Sequence, residues 1–430
     1  MRTQQHMAPR ARELSQHATN RNENDRLRVV LACGADFSGG IFGGTESLVQ
    51  DFASSPATSA RTSIVIAGLA ANGELPGVLY RRKFGTCDHA FVPVAHGARD
   101  RRLPLRVAFA AGLWKYRRVL RQFVPHVLYA HTAESAIALG IACPGVPMVM
   151  HVHGVDNPLA LSRFTVARSW PVPLIYDRTV FRPAVRSAHG LLANLDDQQF
   201  GEFSRRYARH LRVSTRQVRA GVDVSLFRPS EQPSARAALG LPLGDVILIF
   251  SGRLEPPKGV DSVIKATRLL GATIPHIRLL IVGDGSAREH LVKQAKDNGI
   301  GERTTFTGTV ARDRIPLYLS AADVFVTGTH RESISMALLE ALACGVPAVC
   351  GPVGGAREVL GEPMTGVVIA KVTPDALAEG VLAVLRMGGA ARAACVARAR
   401  RYSADESNRS IIETLESVGA TPSETERAMS

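Results

Sequence analysis

Two cations lie in a short loop of the second half of the chain. Arg253 and Lys258 are five residues apart, between the apolar run 246–252 and a stretch that favours a helix. A helix that begins directly after a strand presents free backbone N–H groups and the positive end of its dipole. Arginine can contact anionic oxygens in bidentate fashion, and lysine adds a point charge. The segment predicts a metal-free diphosphate site, although two such cations can also be solvated surface charges.

Two glutamates eight residues apart, Glu332 and Glu340, form a second group of candidate ligands. Glu340 falls in a helical pattern whose apolar residues can pack inward, and residues 332–335 precede that helix and would present unpaired amides to a ligand. Carboxylates are good acceptors for the hydroxyl groups of ribose or a hexose. The alternative is an ordinary helix with one capping glutamate and one surface glutamate.

Nearly continuous apolar runs alternate with helical patterns in both halves of the chain. Strands covered on both faces have this composition, and helices between them imply parallel crossover connections. We predict two doubly wound α/β sheets, which bind ligands at the carboxyl ends of their strands and in the cleft between them if those ends face each other. The runs are 28–33, 63–68, 126–131, 147–154 and 190–195, followed by 246–252, 278–285, 323–328 and 346–351.

An ordered set of motifs over about residues 28–400 resembles the retaining glycosyltransferases of family 4, which have the GT-B fold. Glu332 and Glu340 resemble the E-x7-E signature of that family, and Gly252-Arg253 with Lys258 resembles its diphosphate segment. The other matching residues are Gly221-Val222-Asp223 with Phe227 and Pro229, the glycine loop Gly43-Gly44-Thr45-Glu46, His153-Gly154, and Ala341, Ala343, Cys344, Gly345, Pro347, Gly354, Gly355 and Glu358.

The resemblance implies roles for the donor side of the site. Arg253 and Lys258, beside Gly252, would neutralise the diphosphate of a nucleotide-sugar donor and its leaving nucleotide. Glu340 would hold the ribose, and Glu332 would lie beside the transferred sugar. The backbone amides around Ser333, Ile334, Ser335 and Met336 would bind sugar hydroxyls. Ser335 replaces a common glycine of the family, Thr329-His330 replaces a proline-serine pair and Pro257 an often acidic residue, so the identity of the donor sugar is left open.

On the first half, the resemblance implies that Gly43 and Gly44 allow close backbone approach to the phosphates or the acceptor. It also implies that His153 faces the reaction centre near C6 of the sugar; the alternative is a strand-end histidine with its hydrogen bonds satisfied. His151 lies deeper on the same strand face and is interpreted as structural. A metal site at His151 and His153 is not expected, because no third ligand presents itself.

The fold implied by the resemblance is GT-B, with two Rossmann-like doubly wound domains facing each other across a cleft. We predict a disordered extension at 1–26, an acceptor domain at 27–225 and a nucleotide-sugar domain at 226–402. A helix at 403–418 is expected to return to the first domain, followed by a tail at 419–430.

The basic residues are unevenly distributed. Residues 1–225 hold 29 Lys and Arg against 16 Asp and Glu, whereas residues 226–430 hold 23 against 22. Such a field favours an anionic surface or substrate on the first half; alternatively it reflects a general preference for arginine, since only seven of the 52 basic residues are lysine. Residues 99–121 read as a basic amphipathic helix that either lies on an anionic membrane or packs its apolar stripe on the sheet.

We expect a cytoplasmic glycosyltransferase, peripheral at the inner face of the membrane, that transfers a sugar from a nucleotide-diphosphate donor to a lipid-linked or polysaccharide acceptor with retention. No metal, further cofactor or nucleic acid is expected to take part, and no apolar run reaches the ~18 residues of a membrane span. The alternatives are a soluble transferase that forms a small glycoside and a sugar-nucleotide-binding protein without turnover. A nicotinamide-dependent dehydrogenase is disfavoured, because residues 34–44 lack a correctly spaced G-x-G-x-x-G.

Overall fold

The computed structural model of this chain describes residues 26–35, 37, 44–97, 104–154, 169, 171–211, 213, 215–330, 334–361 and 363–420. Within these residues the backbone forms two sheets, both with helices packed against their two faces. The predicted α/β class with two doubly wound sheets is confirmed.

The first sheet is built from strands β1 Leu27–Ala32, β2 Thr62–Ala70, β3 Tyr80–Phe84, β4 Cys87–His96, β5 Val127–Ala130, β6 Met148–Val152, β7 Gly190–Ala193 and β8 Thr215–Gln217. Their order in the sheet is β3-β4-β2-β1-β5-β6-β7-β8. Strand β3 pairs antiparallel with β4, and the other neighbours are parallel. The carboxyl ends of β1, β5 and β6 therefore lie together at one edge of the sheet.

The helices of this region are α1 Gly44–Ser54, α2 Pro56–Arg61, α3 Leu105–Lys115, α4 Arg117–Arg121, α5 Ala133–Ala142, α6 Val172–Tyr176, α7 Arg182–Ser187 and α8 Asp197–Tyr207, with a π-helical turn at Asp177–Phe181 between α6 and α7. Side chains alternate between the two faces of each strand. On β1, Val30 packs in one core with Leu113 of α3, and Val29 packs in the opposite core with Phe52 of α1.

The second sheet has six strands, β9 Val246–Ser251, β10 Ile277–Val282, β11 Thr304–Gly308, β12 Val324–Thr327, β13 Ala348–Cys350 and β14 Gly366–Val368. Their order is β11-β10-β9-β12-β13-β14, and all neighbours are parallel. The α-helices that follow the first sheet are α9 Gln232–Ala238, α10 Val260–Leu270, α11 Arg288–Asp297, α12 Ile315–Ala321, α13 Met336–Ala343, α14 Ala356–Val359, α15 Pro374–Leu385, α16 Ala390–Ala399 and α17 Ala404–Gly419. Short 3₁₀ turns lie at Pro256–Lys258, Gly301–Arg303, Arg312–Arg314 and Arg400–Tyr402.

The last helix crosses back to the first sheet. It begins after Ser403, whose backbone forms a bridge with Val222. Ile411, Ile412 and Leu415 of α17 are fully buried in the core that also contains Val29. The chain thus crosses between the two sheets twice, and these crossings hold the sheets side by side.

The structure contains five strands that lie outside the predicted runs: β3, β4, β8, β11 and β14. Strands β3, β8, β11 and β14 lie at or next to the sheet edges and are short, polar or only partly buried, so they lack the continuous apolar signature of a central strand. The single basic helix predicted at 99–121 is wrong in its described part, because the helix breaks at Tyr116 into α3 and α4.

Among the described residues no single helix is long and apolar enough to cross a bilayer, while the pair Pro374–Leu385 and Ala390–Tyr402, bent by 105°, meets the criterion of length and composition when taken together.

Candidate functional site

The loop after β9 is shaped by two glycines. Gly252 has a φ of 149° and Gly259 a φ of 63°, which favour glycine at both positions. A Cβ at Gly259 would lie 2.1 Å from the carbonyl oxygen of Gly328, so the loops after β9 and β12 touch backbone to backbone. This contact fixes the intervening Arg253 and Lys258 beside the end of β12. Arg253 is exposed and Lys258 is half-buried.

The beginning of α13 is the second element of the site. The hydroxyl of Ser335 accepts a hydrogen bond from the amide of Leu338, 3.4 Å away, and so caps the helix. Ile334 and Met336 on either side are buried, 5% and 6% exposed. The residue that departs from the family pattern therefore stabilises the helix end that faces the cavity. Glu332 and Ser333 lie outside the described residues.

A small cavity of about 70 Å³ joins these two loops to the first sheet. It is lined by Gly44 of α1 together with Gly252, Arg253, Lys258, Ser335 and Met336, among others. A Cβ at Gly44 would lie 3.9 Å from Cγ of Met336, so the amino-terminal ends of α1 and α13 approach each other closely. Two helix amino termini and two cations around one cavity form an electropositive site suited to an anion. Gly43 lies outside the described residues.

Glu340 does not line this cavity in the structure. It is 7% exposed, and its carboxylate lies 4.0 Å from the guanidinium of Arg312. The same guanidinium donates a hydrogen bond of 2.6 Å to Asp51 on α1. Arg312 thus contacts one carboxylate from each half of the chain, Glu340 on α13 and Asp51 on α1. Binding of ribose by Glu340 stays a prediction, and the sequence argument did not identify Arg312 or Asp51.

Burial raises the pKa of Glu340 to about 7 and that of Asp51 to about 6, while Arg312 opposes both shifts. A carboxyl group whose pKa is raised in the folded protein stays protonated at pH values at which the same group has ionised in the unfolded chain. The free energy of unfolding therefore falls as the pH rises through this range. For Glu340 this window extends from its ordinary value of 4.5 to about 7.

We therefore expect the stability of the wild type, relative to Glu340→Gln, to fall by about 3 kcal/mol between pH 4.5 and pH 7, because the amide of the variant does not titrate. Urea unfolding of both proteins at a series of pH values measures this difference. Glu406→Gln, at an exposed carboxylate of α17, is the matched control and should give a flat difference. A flat difference for Glu340→Gln as well would contradict the assignment.

A larger cavity of about 320 Å³ lies at the carboxyl ends of β1, β5 and β6. Its lining includes Glu46, Arg106, His131, His153 and Tyr176. Arg106 forms an ion pair of 3.6 Å with Glu134, and burial raises the pKa of Tyr176. The cavity therefore offers both charged and hydroxyl groups to a polar ligand.

His153 directly follows β6 and lines the larger cavity, beside a histidine that was not among the residues predicted from sequence. This histidine, His131, directly follows the neighbouring strand β5, and the two rings are hydrogen-bonded, with Nδ1 of His131 2.8 Å from Nε2 of His153. His151 is fully buried and hydrogen-bonded to Tyr129. The statement that no third ligand accompanies His151 and His153 is wrong, because His131 lies with them. The parallel pairing of β5 and β6 was the signal that could have found it.

Comparisons with known proteins agree with this geometry. Residues 231–402 match the family model described as glycosyl transferases group 1. The D-inositol 3-phosphate glycosyltransferase of Mycolicibacterium paratuberculosis is 32% identical over 225 residues, which cover 51% of this chain and 50% of that protein. The enzyme of the same name from Mycobacterium tuberculosis (strain F11) is 30% identical over 301 residues, covering 68% and 60%. The chain thus spans about half to three fifths of the length of these relatives.

Solved structures are similar in fold over nearly the whole chain. A sucrose-phosphate synthase from Thermosynechococcus elongatus superposes with a TM-score of 0.73 at 18% identity, covering 90% of this chain and 97% of that structure. HepE of Anabaena, solved in complex with UDP and glucose, has a TM-score of 0.67 at 22% identity, covering 91% and 100%. At these identities the likeness shows the fold, and the fold is GT-B.

Proposed function

Residues 231–402 match the glycosyl transferases group 1 family, and we propose that the chain transfers a sugar from a nucleotide-diphosphate donor to an acceptor with retention of anomeric configuration. The observation that carries the proposal is the small cavity that is lined by Arg253 and Lys258 on one side and by Gly44, at the start of α1, on the other. Charge is arranged there as a diphosphate requires: cations and helix amino termini face the space, and the described acidic residues of the loop do not line it.

The proposed reaction breaks the bond between the anomeric carbon and the diphosphate oxygen. The electron pair goes to that oxygen, the acceptor hydroxyl bonds to the anomeric carbon, and its proton passes to the leaving phosphate. Arg253 and Lys258, fixed before the reaction begins, stabilise the charge that develops on the diphosphate without a metal ion. The amides around Ile334, Ser335 and Met336 hold the sugar, together with Ser333 and Glu332, and Gly252 lets the diphosphate approach the backbone.

The donor is proposed to be a nucleotide sugar because Anabaena HepE, of the same fold, is solved with UDP and glucose. We assign Glu340 to the ribose. In this role its carboxylate has to leave Arg312 and accept hydrogen bonds from the ribose hydroxyls instead. His153 faces the transferred sugar from the larger cavity, which we assign to the acceptor.

The acceptor is proposed to be lipid-linked, or a polysaccharide at the inner face of the membrane, because the rim of the acceptor cavity is both apolar and basic. Leu105 and Arg106 of α3 line that cavity, and Leu105, Val107 and Trp114 are 42%, 48% and 52% exposed. Val107 and Trp114 are not part of the apolar stripe predicted from sequence, whose residues Phe109, Leu113 and Leu120 are buried. Val107 and Trp114, seven residues apart, share one face of α3, and exposed apolar residues beside cations suit the surface of an anionic membrane.

A soluble acceptor is the second candidate. It is favoured by the relatives named D-inositol 3-phosphate glycosyltransferases and by Arg106 in a cavity of about 320 Å³, large enough for one small phosphorylated polyol. The two candidates differ in whether α3 takes part in acceptor binding.

The test is the release of nucleoside diphosphate from a panel of nucleotide sugars, with and without anionic lipid extract. We expect lipid extract to raise the rate at least tenfold, and Trp114→Glu to abolish this rise while leaving donor binding intact. The matched control is Leu243→Glu, which places the same charge at a 65% exposed apolar residue away from α3. A rise only with small polyol phosphates supports the second candidate, and donor binding without any release indicates a protein without turnover.

A further inference from the structure

Three histidine rings are stacked at the carboxyl ends of β5 and β6. His131, His151 and His153 each offer one ring nitrogen, and these nitrogens all lie within 4.8 Å of one another. The ring centroids are 5.5 Å apart for His131 and His151, 5.1 Å for His131 and His153, and 4.3 Å for His151 and His153. Strands β5 and β6 are parallel and Ala130 is opposite Met150, so His131 comes next to His151, and His153 follows two residues later on the same side.

Each of the three rings has a nitrogen that lacks a hydrogen-bond partner although it is buried. These atoms are Nε2 of His131, Nε2 of His151 and Nδ1 of His153. Buried side-chain nitrogens nearly always have a partner, and a group of them without one points to an ion or ligand. Nε2 of His151 would gain a partner from a cation held among the three rings beside the cavity of about 320 Å³, and the facing nitrogens of His131 and His153, which are hydrogen-bonded to each other, are the other two candidate ligands.

The surroundings suit neutral imidazoles that act as ligands. Burial of the rings disfavours the charged imidazolium form, and a neutral imidazole keeps a lone pair for a metal. The phenol of Tyr129 lies 2.7 Å from Nδ1 of His151. When that Nδ1–H donates to the phenol oxygen, Nε2 of His151 carries the free lone pair, which is how outer partners orient metal-ligating histidines.

We propose that His131, His151 and His153 bind one divalent transition metal ion, preferentially Zn²⁺, with a fourth coordination position open to the larger cavity. Three histidines with an open position form a recurrent Zn²⁺ site. Metal–nitrogen bonds of about 2.0–2.1 Å place tetrahedral ligands about 3.3 Å apart. The hydrogen-bonded pair His131 and His153, at 2.8 Å, therefore has to separate by only about half an ångström.

This site is separate from the cations that hold the donor diphosphate, and it stands whether or not the chain transfers a sugar. If it does, the open position of the metal points to the cavity assigned to the acceptor and would take an acceptor hydroxyl or phosphate oxygen.

The test uses the full chain, stripped with a chelator and titrated with Zn²⁺ by calorimetry and with Co²⁺ by visible spectroscopy. We expect one equivalent of each metal and the intense visible bands of four-coordinate Co²⁺. His151→Ala should lower the affinity at least a hundredfold, and Tyr129→Phe, which keeps the ligands but loses the phenol, about ten- to a hundredfold. His276→Ala, at an exposed histidine after α10, is the matched control and should bind as the wild type does.

Circular dichroism identifies any variant that does not fold, and in that case His131→Gln, at the end of β5, replaces it in the comparison. Weak Co²⁺ bands of a six-coordinate ion, or an affinity unchanged in His151→Ala, His131→Gln and Tyr129→Phe alike, would overturn the proposal. These variants should lose metal binding and keep donor binding, whereas Lys258→Ala should lose donor binding and keep metal binding. This pair of results separates the metal site from the donor site.

Discussion

Lys258→Ala is expected to lower kcat/KM for sugar transfer by about 10²- to 10³-fold, the usual effect of removing one fixed group that stabilises charge in the transition state. The side chain is half-buried and lines the cavity between Gly44 and Ser335, where a charge is screened less than at the surface. Its position is fixed by the glycine contact between the loops after β9 and β12. Because negative charge on the diphosphate grows as the anomeric bond breaks, kcat should fall as well as affinity for the donor.

Steady-state release of nucleoside diphosphate gives kcat and KM, and calorimetry gives donor affinity. Arg253→Ala should reduce the same quantities. The matched control is Lys265→Ala, which removes an exposed lysine from α10, the helix that follows the loop. Equal kcat/KM for Lys258→Ala and Lys265→Ala would contradict the diphosphate site, provided that both variants fold.

The central strands and the diphosphate loop were predictable from sequence because their signals are local. Strand β9 is a continuous apolar run, and the loop after it combines glycine, proline and cations within a few residues. A strand covered on both faces cannot be polar, so composition alone identifies it. Strand β3, with the sequence YRRKF, pairs on one side only, and its exposed face tolerates cations. Its pairing with β4, rather than its composition, makes it a strand.

The contacts that define the cavities were not predictable because they join distant segments. Nothing near Arg312 in sequence indicates that its partners are Asp51 and Glu340, which come from opposite sides of the cleft. His131 was recognised only as the last residue of an apolar run. Its relation to His153 depends on the order of strands in the sheet, which local patterns do not specify.

Arg312→Ala is the substitution expected to cost the most stability, about 3–5 kcal/mol, since it leaves two buried carboxylates without their cation. Asp51 and Glu340 are 5% and 7% exposed, and Arg312 also lies over the ring of Phe227, 5.3 Å from its centroid. The loss should shrink as the pH falls from 8 towards about 6, because both carboxyl groups take up protons over this range and then need no cation. Urea unfolding at pH 5 and pH 8 measures both effects.

Arg312 is expected to stabilise the carboxylates of Asp51 and Glu340 by its charge rather than by its volume, and a combined variant tests this. Arg312→Met together with Asp51→Asn and Glu340→Gln removes every charge of the group while keeping its volume, and should restore most of the stability lost in Arg312→Ala. Arg409→Ala, which breaks an exposed ion pair with Glu406, is the control and should change stability by less than about 1 kcal/mol. If the combined variant is less stable than Arg312→Ala at pH 8, the ion pair itself holds α1 against the second sheet. In that case donor affinity should fall with it, because Gly44 at the start of α1 would move away from Met336.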